Sequence, residues 1–111
     1  MLQIVCLCAA WCRACEAYAP LFAEATEGRA ARWIDIEDEA DLLGDYEVET
    51  FPTLLLFDAG RLFFAGAVRP DAATLQHLIA ASESTGGLLV PAPAAALQAL
   101  LHRLQGRSAR P

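Results

Sequence analysis

Two cysteines three apart, Cys12 and Cys15, stand in the pentapeptide Trp11-Cys12-Arg13-Ala14-Cys15. An apolar run from Leu2 to Cys8 leads into them, and a helix-like stretch from Arg13 to Gly28 leads out. At a strand-to-helix junction such a pair lies one helical turn apart, close enough to form a small disulfide ring. The start of a helix also presents unpaired N–H groups and partial positive charge, which favour a thiolate over a thiol. This arrangement suits thiol–disulfide exchange, with Cys12 attacking and Cys15, a turn further in, resolving the mixed disulfide. Half of a zinc site and a pair of buried apolar side chains are the competing readings. A zinc site would recruit Cys6 and Cys8, which alternation along a strand puts on one face. Four ligands so close in sequence need a tight knuckle rather than a strand, which argues against the metal. Cys6 and Cys8 are read instead as small buried hydrophobes, with Cys8 near enough in sequence to form a competing disulfide.

A second stretch supports the redox reading: Glu49-Thr50-Phe51-Pro52-Thr53-Leu54-Leu55-Leu56-Phe57. A WCxxC after a first strand, followed about 40 residues later by a proline that opens an apolar strand, resembles the thioredoxin family. Pro20, five residues after Cys15, adds to the likeness, as do Trp33-Ile34-Asp35-Ile36 as the next strand and Ala65-Gly66-Ala67 closing the last. The resemblance covers residues 2–83. It implies that Pro52 is cis and lies against the CxxC, leaving the Phe51 backbone free to pair with an extended substrate segment. An ordinary trans proline starting an edge strand is the alternative. It further implies catalysis by Cys12 and Cys15 through a redox-active Cys12–Cys15 disulfide, with no separate cofactor and no metal. The substrate would dock on Trp11, Arg13, Thr50, Phe51, Pro52 and Gly66.

Individual positions leave alternatives open. Trp11 is either the rim of the site or a packing anchor. Arg13 either adds positive charge near the Cys12 thiolate, stabilising the reduced form, or is a solvated residue on an exposed turn; Glu16 opposes the first effect. Cys6 is a departure from the family, which places a buried Asp there to deprotonate the resolving cysteine. That Asp pairs with a Lys on the next strand, where this chain has Trp33. His77 and His102 are far from the motif in sequence and are given no catalytic role.

The chain has 111 residues, of which 56% are hydrophobic, so most of it is expected to pack as one domain. No apolar run reaches the roughly 18 residues that a membrane span needs. No basic leader with an apolar core precedes the first strand, which leads to the expectation of a cytoplasmic protein. The net charge is −6, all eight basic residues are Arg, and acidic residues crowd the segment from Asp35 to Glu49. That segment is expected to be a solvated face, and its field opposes binding to nucleic acid or anionic membrane.

The pattern predicts strands at Leu2–Cys8, Ala31–Ile36, Thr53–Phe57 and Arg61–Ala65, the last two joined by an Asp58-Ala59-Gly60 turn. It predicts helices at Arg13–Gly28 and Glu39–Gly44, and one from Pro70-Asp71 to about Ser82. The expected fold is α/β: a three-layer sandwich around a mixed four-stranded sheet in the order βαβαββα, with a C-terminal helical extension. Residues 1–83 form the core. A linker from Ser82 to Gly87 leads into the segment 84–111, where Leu88-Leu89-Val90 precede an Ala/Leu-rich helix from about Pro93 to Leu104, whose apolar face is Ala94, Leu97, Leu100, Leu101 and Leu104; Gly106–Pro111 is expected to fray. Thioredoxins carry an extra strand and helix before the CxxC strand, which this chain lacks. The tail is therefore expected either to fold back over the exposed sheet edge or to make a dimer contact, giving a monomer or weak dimer.

The leading expectation is a thiol–disulfide oxidoreductase that reduces or exchanges disulfides in protein substrates, with a thiol or a flavoprotein reductase as electron donor. Glutathione-dependent exchange of the glutaredoxin kind is second, demoted because Ala65-Gly66-Ala67-Val68 replaces the Gly-Gly turn of that pattern. A weakly active binding module on the same scaffold is third.

Overall fold

Continuous apolar runs form the strands of this chain, and segments with three-to-four spacing form its helices. Their order is β1 (Gln3–Cys8), α1 (Arg13–Ala25), β2 (Ala30–Asp35), α2 (Ala40–Leu43), β3 (Thr53–Asp58), β4 (Arg61–Ala67), α3 (Ala72–Glu83) and α4 (Ala95–Ser108). The computed structural model describes residues 2–58, 61–84 and 95–108, with the backbone alone for 106–108. The strands make one mixed sheet in the order β2-β1-β3-β4. β1 is parallel to β2 and antiparallel to β3, and β3 is antiparallel to β4. The parallel pair requires a crossover, which α1 supplies. The α/β fold expected from the sequence is the one observed, and β2 forms an edge of the sheet.

Strand alternation divides the core in two. β1 sends Ile4, Cys6 and Cys8 to one face, where they meet Cys15, Tyr18 and Phe22 of α1 and Leu75, Leu78 and Ile79 of α3. It sends Val5 and Leu7 to the other face, against Leu42 and Leu43 of α2 and the leucines of α4. Between Leu56 and Phe57 the register with β4 shifts, so that Leu56 pairs with Phe64 and Phe57 with Leu62. Phe63 is the extra residue of this bulge, and both Phe63 and Phe64 join the α1/α3 face.

Element ends differ from the sequence reading where side chains cap them. α1 passes through the exposed Pro20 and stops at Ala25 rather than Gly28. Thr26 ends it, with its N–H and its hydroxyl both donating to the Phe22 C=O, at 3.0 and 2.7 Å. Gly28, with φ +79°, then turns the chain as only glycine does readily. Asp71 caps α3 by accepting the Thr74 N–H at 2.7 Å. That helix continues through Ser82 and Glu83, so these two residues are not linker. α4 extends to Ser108, so residues 106–108, expected to fray, are helical. The Ala59-Gly60 turn, residues 85–87 of the linker, Leu88-Leu89-Val90 and the expected start of α4 at Pro93 lie outside the described residues.

α4 lies on the face opposite α1 and α3. Leu100 and Leu104 are fully buried and Leu97 and Leu101 nearly so, at the three-to-four spacing of one helical stripe. Arg103 fixes the helix against α2, its Nε donating to the Leu42 C=O at 2.6 Å and its Nη2 to the Leu43 C=O at 3.0 Å. A cation is well placed there, because the last carbonyls of a helix carry partial negative charge. Gly44 follows with φ +57°, and a Cβ at that position would stand 2.7 Å from Arg103 Nη2.

Candidate thiol–disulfide site

Cys12 is the N-cap of α1, with extended backbone angles. Its N–H donates to the Ala9 C=O at 3.0 Å, which tightens the loop from β1, and its C=O accepts the Glu16 N–H at 3.2 Å, which starts the helix. Cys12 is half-buried, whereas Cys15, in the first turn, is only 3% exposed. The asymmetry expected of an attacking and a resolving cysteine is present in the burial of the two side chains.

Their pairing is not the one expected. Cys15 is bonded to Cys8, with Cα atoms 5.8 Å apart, and Cys12 is a free cysteine. The Cα separation is in the ordinary range for a disulfide. The physical reason for the pairing lies in the period of β1. Cys6 and Cys8 both face α1, and Cys8, the last residue of the strand, lies under the first turn, where Cys15 turns inward. The competing disulfide that the sequence allowed for Cys8 is therefore the one formed in this structure. The Cys6 Sγ lies 3.7 Å from the Cys8 Sγ, and burial pushes the Cys6 thiol up to about 12.

The Phe51–Pro52 peptide is cis, as the resemblance implied. Pro52 is buried, and its C=O accepts the Val68 N–H at 3.0 Å. Phe51 is half-buried against the core that holds Cys15 and also borders Cys12. Trp11 is 66% exposed and meets the Phe51 ring edge-on at 5.5 Å between centroids. That contact brings the cysteine loop and the proline loop together. Thr50 is exposed, and its C=O accepts the Thr53 hydroxyl at 2.6 Å. Gly66 lies in β4 opposite Leu54, two residues before the Val68 N–H. Arg13 and Glu16 are both exposed on the first turn of α1.

Three features escaped the sequence reading. Trp33, the register partner of Cys6 that the sequence matched to the family's Lys, packs its ring on Phe22 and Tyr18 at 5.6 and 6.4 Å, a cluster the sequence did not announce. An aromatic cluster thus fills the place of the family's Asp–Lys pair. Tyr18 is fully buried, and its hydroxyl finds no hydrogen-bond partner among the described residues. Burial first, then the nearby Cys6 and Asp71, push this phenol well above its usual range. Asp35, at the end of β2, accepts the N–H groups of Glu37 and Asp38 at 2.8 and 3.1 Å. Those two bonds are the main cause that holds its carboxyl below the usual value. The signal for Asp35 was positional, since it stands opposite Cys8 in register, at the carboxyl ends of two parallel strands. A shallow pocket of about 200 Å³, lined in part by Ala10, Cys15, Glu16, Trp33 and Asp35, opens between the cysteine loop and α1.

Residues 1–81 match the Thioredoxin family. A segment of 58 residues is 43% identical to protein disulfide isomerase-like 1-3 of Arabidopsis thaliana, covering 49% of this chain and 10% of that protein. Among solved structures, a mutant thioredoxin from Halobacterium salinarum superposes with a TM-score of 0.62 at 27% identity, over 81% of this chain and 78% of that one. The oxidised thioredoxin of Plasmodium falciparum superposes with a TM-score of 0.60 at 21% identity, over 71% and 78% of the two chains. The family match extends over most of the chain and takes in every strand, the cysteine loop and the cis proline, so this chain belongs to the thioredoxin family and has the fold of a thiol–disulfide oxidoreductase.

Proposed function

We propose that the chain reduces or exchanges disulfides in protein substrates, with Cys12 as nucleophile and Cys15 as resolving residue. The observation that carries this reading is the placement of Cys12, a free, half-exposed cysteine capping α1 beside the cis Phe51–Pro52 loop. Cys15 lies nearly buried one turn further in. In the reduced protein the Cys12 thiolate attacks one sulfur of a substrate disulfide, and the other substrate sulfur leaves as a thiolate. Cys15 then attacks the Cys12 Sγ, releasing the second substrate thiol and closing Cys12–Cys15, so that two electrons have passed to the substrate. Phe51 and Trp11 offer an extended substrate backbone and an aromatic rim next to the attacking sulfur. A small thiol or a flavoprotein reductase would return the electrons.

Insulin reduction driven by dithiothreitol tests this reading. Cys12→Ser is expected to abolish activity. Cys15→Ser is expected to accumulate a substrate joined through Cys12, visible as a mass increase that a reductant removes. If alkylation of the reduced protein at neutral pH modified Cys15 ahead of Cys12, the two roles would be reversed. Activity that required glutathione would favour the glutaredoxin-like alternative, and a folded, fully reduced chain inactive in both assays would favour a binding module.

A further inference from the structure

Four cysteines gather on one side of the sheet. Cys6 and Cys8 come from β1, Cys12 caps α1, and Cys15 lies in its first turn. Cys15 has two neighbours that can bond it. The side chain of an N-cap residue reaches toward the third helical residue, which here is Cys15, so Cys12 approaches it from the surface. Cys8 approaches it from the strand beneath and holds it in this structure.

We propose that Cys15 changes partner between Cys12 and Cys8, and that the Cys8–Cys15 form is a second working state in which the site acts with a single thiol. The proposal rests on the reading of Cys12 as nucleophile. The exchange is balanced within the chain. The Cys12 thiolate attacks the Cys15 Sγ, the Cys12–Cys15 bond forms as Cys8–Cys15 breaks, and Cys8 leaves as a thiolate that takes up a proton. No electrons enter or leave. Cys6 stands beside the departing sulfur at 3.7 Å and can point its S–H at it. Its thiol remains protonated at neutral pH, because burial pushes it up to about 12.

The two oxidised forms differ in what Cys12 can do. With Cys12–Cys15 closed, neither sulfur is a nucleophile and the protein can only accept electrons. With Cys8–Cys15 closed, Cys12 remains a free thiol at the surface while its resolving partner is occupied. A Cys12 thiolate that attacks a substrate disulfide then forms a mixed disulfide that Cys15 cannot close. It persists until another thiolate of the same substrate attacks the substrate sulfur, forming a new substrate disulfide and returning the Cys12 thiolate. The substrate's disulfides are rearranged without net reduction. The substrate class for this state is a protein with wrongly paired disulfides, and the activity is isomerisation.

The test starts from the full chain, reduced with dithiothreitol, desalted and oxidised with one equivalent of diamide. Titration of the native protein with 5,5′-dithiobis(2-nitrobenzoate) should find one fast thiol per chain, and iodoacetamide labelling with peptide fragmentation should place it at Cys12. The same treatment of Cys8→Ala should find none, because Cys12 is then drawn into the bond with Cys15. Reactivation of scrambled ribonuclease A by the oxidised wild-type chain, with no added thiol, should be lost in oxidised Cys8→Ala. An oxidised wild-type chain with no fast thiol overturns the proposal, as does one with the fast thiol that fails to reactivate scrambled ribonuclease. Both wild-type measurements stand even if Cys8→Ala fails to fold. Loss of insulin reduction with the fast thiol and isomerisation intact would overturn only the reductase reading. Insulin reduction without the fast thiol would overturn only the change of partner.

Discussion

On the α1/α3 face the strands meet three buried cysteines and a buried tyrosine, and two side-chain hydroxyls, Tyr18 and Ser82, lack hydrogen-bond partners among the described residues. On the α2/α4 face the buried core is aliphatic apart from Phe57, with leucine in most positions. The same strands serve both, because alternate residues of β1 and β3 point opposite ways. An uncompensated buried polar group costs roughly 1–3 kcal/mol, whereas a buried leucine contributes roughly 1.5–3. The α1/α3 face thus holds the thiols and bears the energetic costs of buried polar groups, and the α2/α4 face supplies stability that offsets them. A thiol site that tolerates several sulfurs in contact depends on a second core that asks nothing of polarity.

The sharpest way to break this comparison is to remove α4. Truncation after Ser84 takes away the burial of Leu97, Leu100, Leu101 and Leu104, about 6–12 kcal/mol as an upper estimate, which rivals the roughly 5–15 kcal/mol that holds a whole domain together. The truncated chain is expected to show no cooperative thermal transition. A truncated chain that stays folded but sediments as a smaller species would make α4 a dimer contact. One with unchanged melting and sedimentation would remove α4 from the core altogether.

A smaller change on the same face sharpens the division. Leu100→Ala at a fully buried position should cost about 2–5 kcal/mol in urea unfolding, while the alkylation rate of Cys12 in the folded protein stays unchanged. A change in that rate would show that the two faces are coupled. On the opposite face the sign should reverse. Tyr18→Phe deletes a buried hydroxyl without a partner and should raise stability by about 1 kcal/mol. A loss of stability would mean that the hydroxyl is bonded in solution.

The weakest expected effect is on pH. Asp35 and Asp71 have carboxyls held below their ordinary value of 3.8, chiefly by backbone N–H groups of the following turns. Groups lowered on folding contribute stability that is fully present above the unfolded value and is lost as pH falls through the folded one. A small fall in melting temperature below about pH 4 is expected, and it should diminish in Asp35→Asn. A variant with an unchanged acid limb would assign that loss to other carboxylates.

Much of this was legible because periodicity and local chemistry coincide. The apolar run at β1, the spacing along α1 and the Pro52 strand each announced their element, and Asp35 to Glu49 is largely the solvated segment its charges suggested. The partner of Cys15 was not legible. Strand alternation puts Cys8 toward α1, but whether Cys15 turns down to it or up to Cys12 depends on how α1 sits over the end of β1, which no local pattern encodes. The orphaned hydroxyl of Tyr18 was hidden for the opposite reason: at an apolar position of a helix, a tyrosine reads as a large hydrophobe. Helix ends were missed by a few residues because capping by Thr26 and the extension of α4 depend on tertiary contacts.

The order of the elements along the chain has a consequence for synthesis. All four strands leave the ribosome before α4, so the α2/α4 face of the sheet exists for a time without the helix that covers it. Residues 85–108 take about one to five seconds to add at translation rates of roughly 5–20 residues per second. Until α4 docks, Val5, Leu7, Leu55 and Phe57 lack the leucines that cover them in the finished fold. The arrival of α4 is then the step that turns a sticky intermediate into a finished domain, and a chain stalled before Leu97 presents to chaperones the surface that the completed protein conceals.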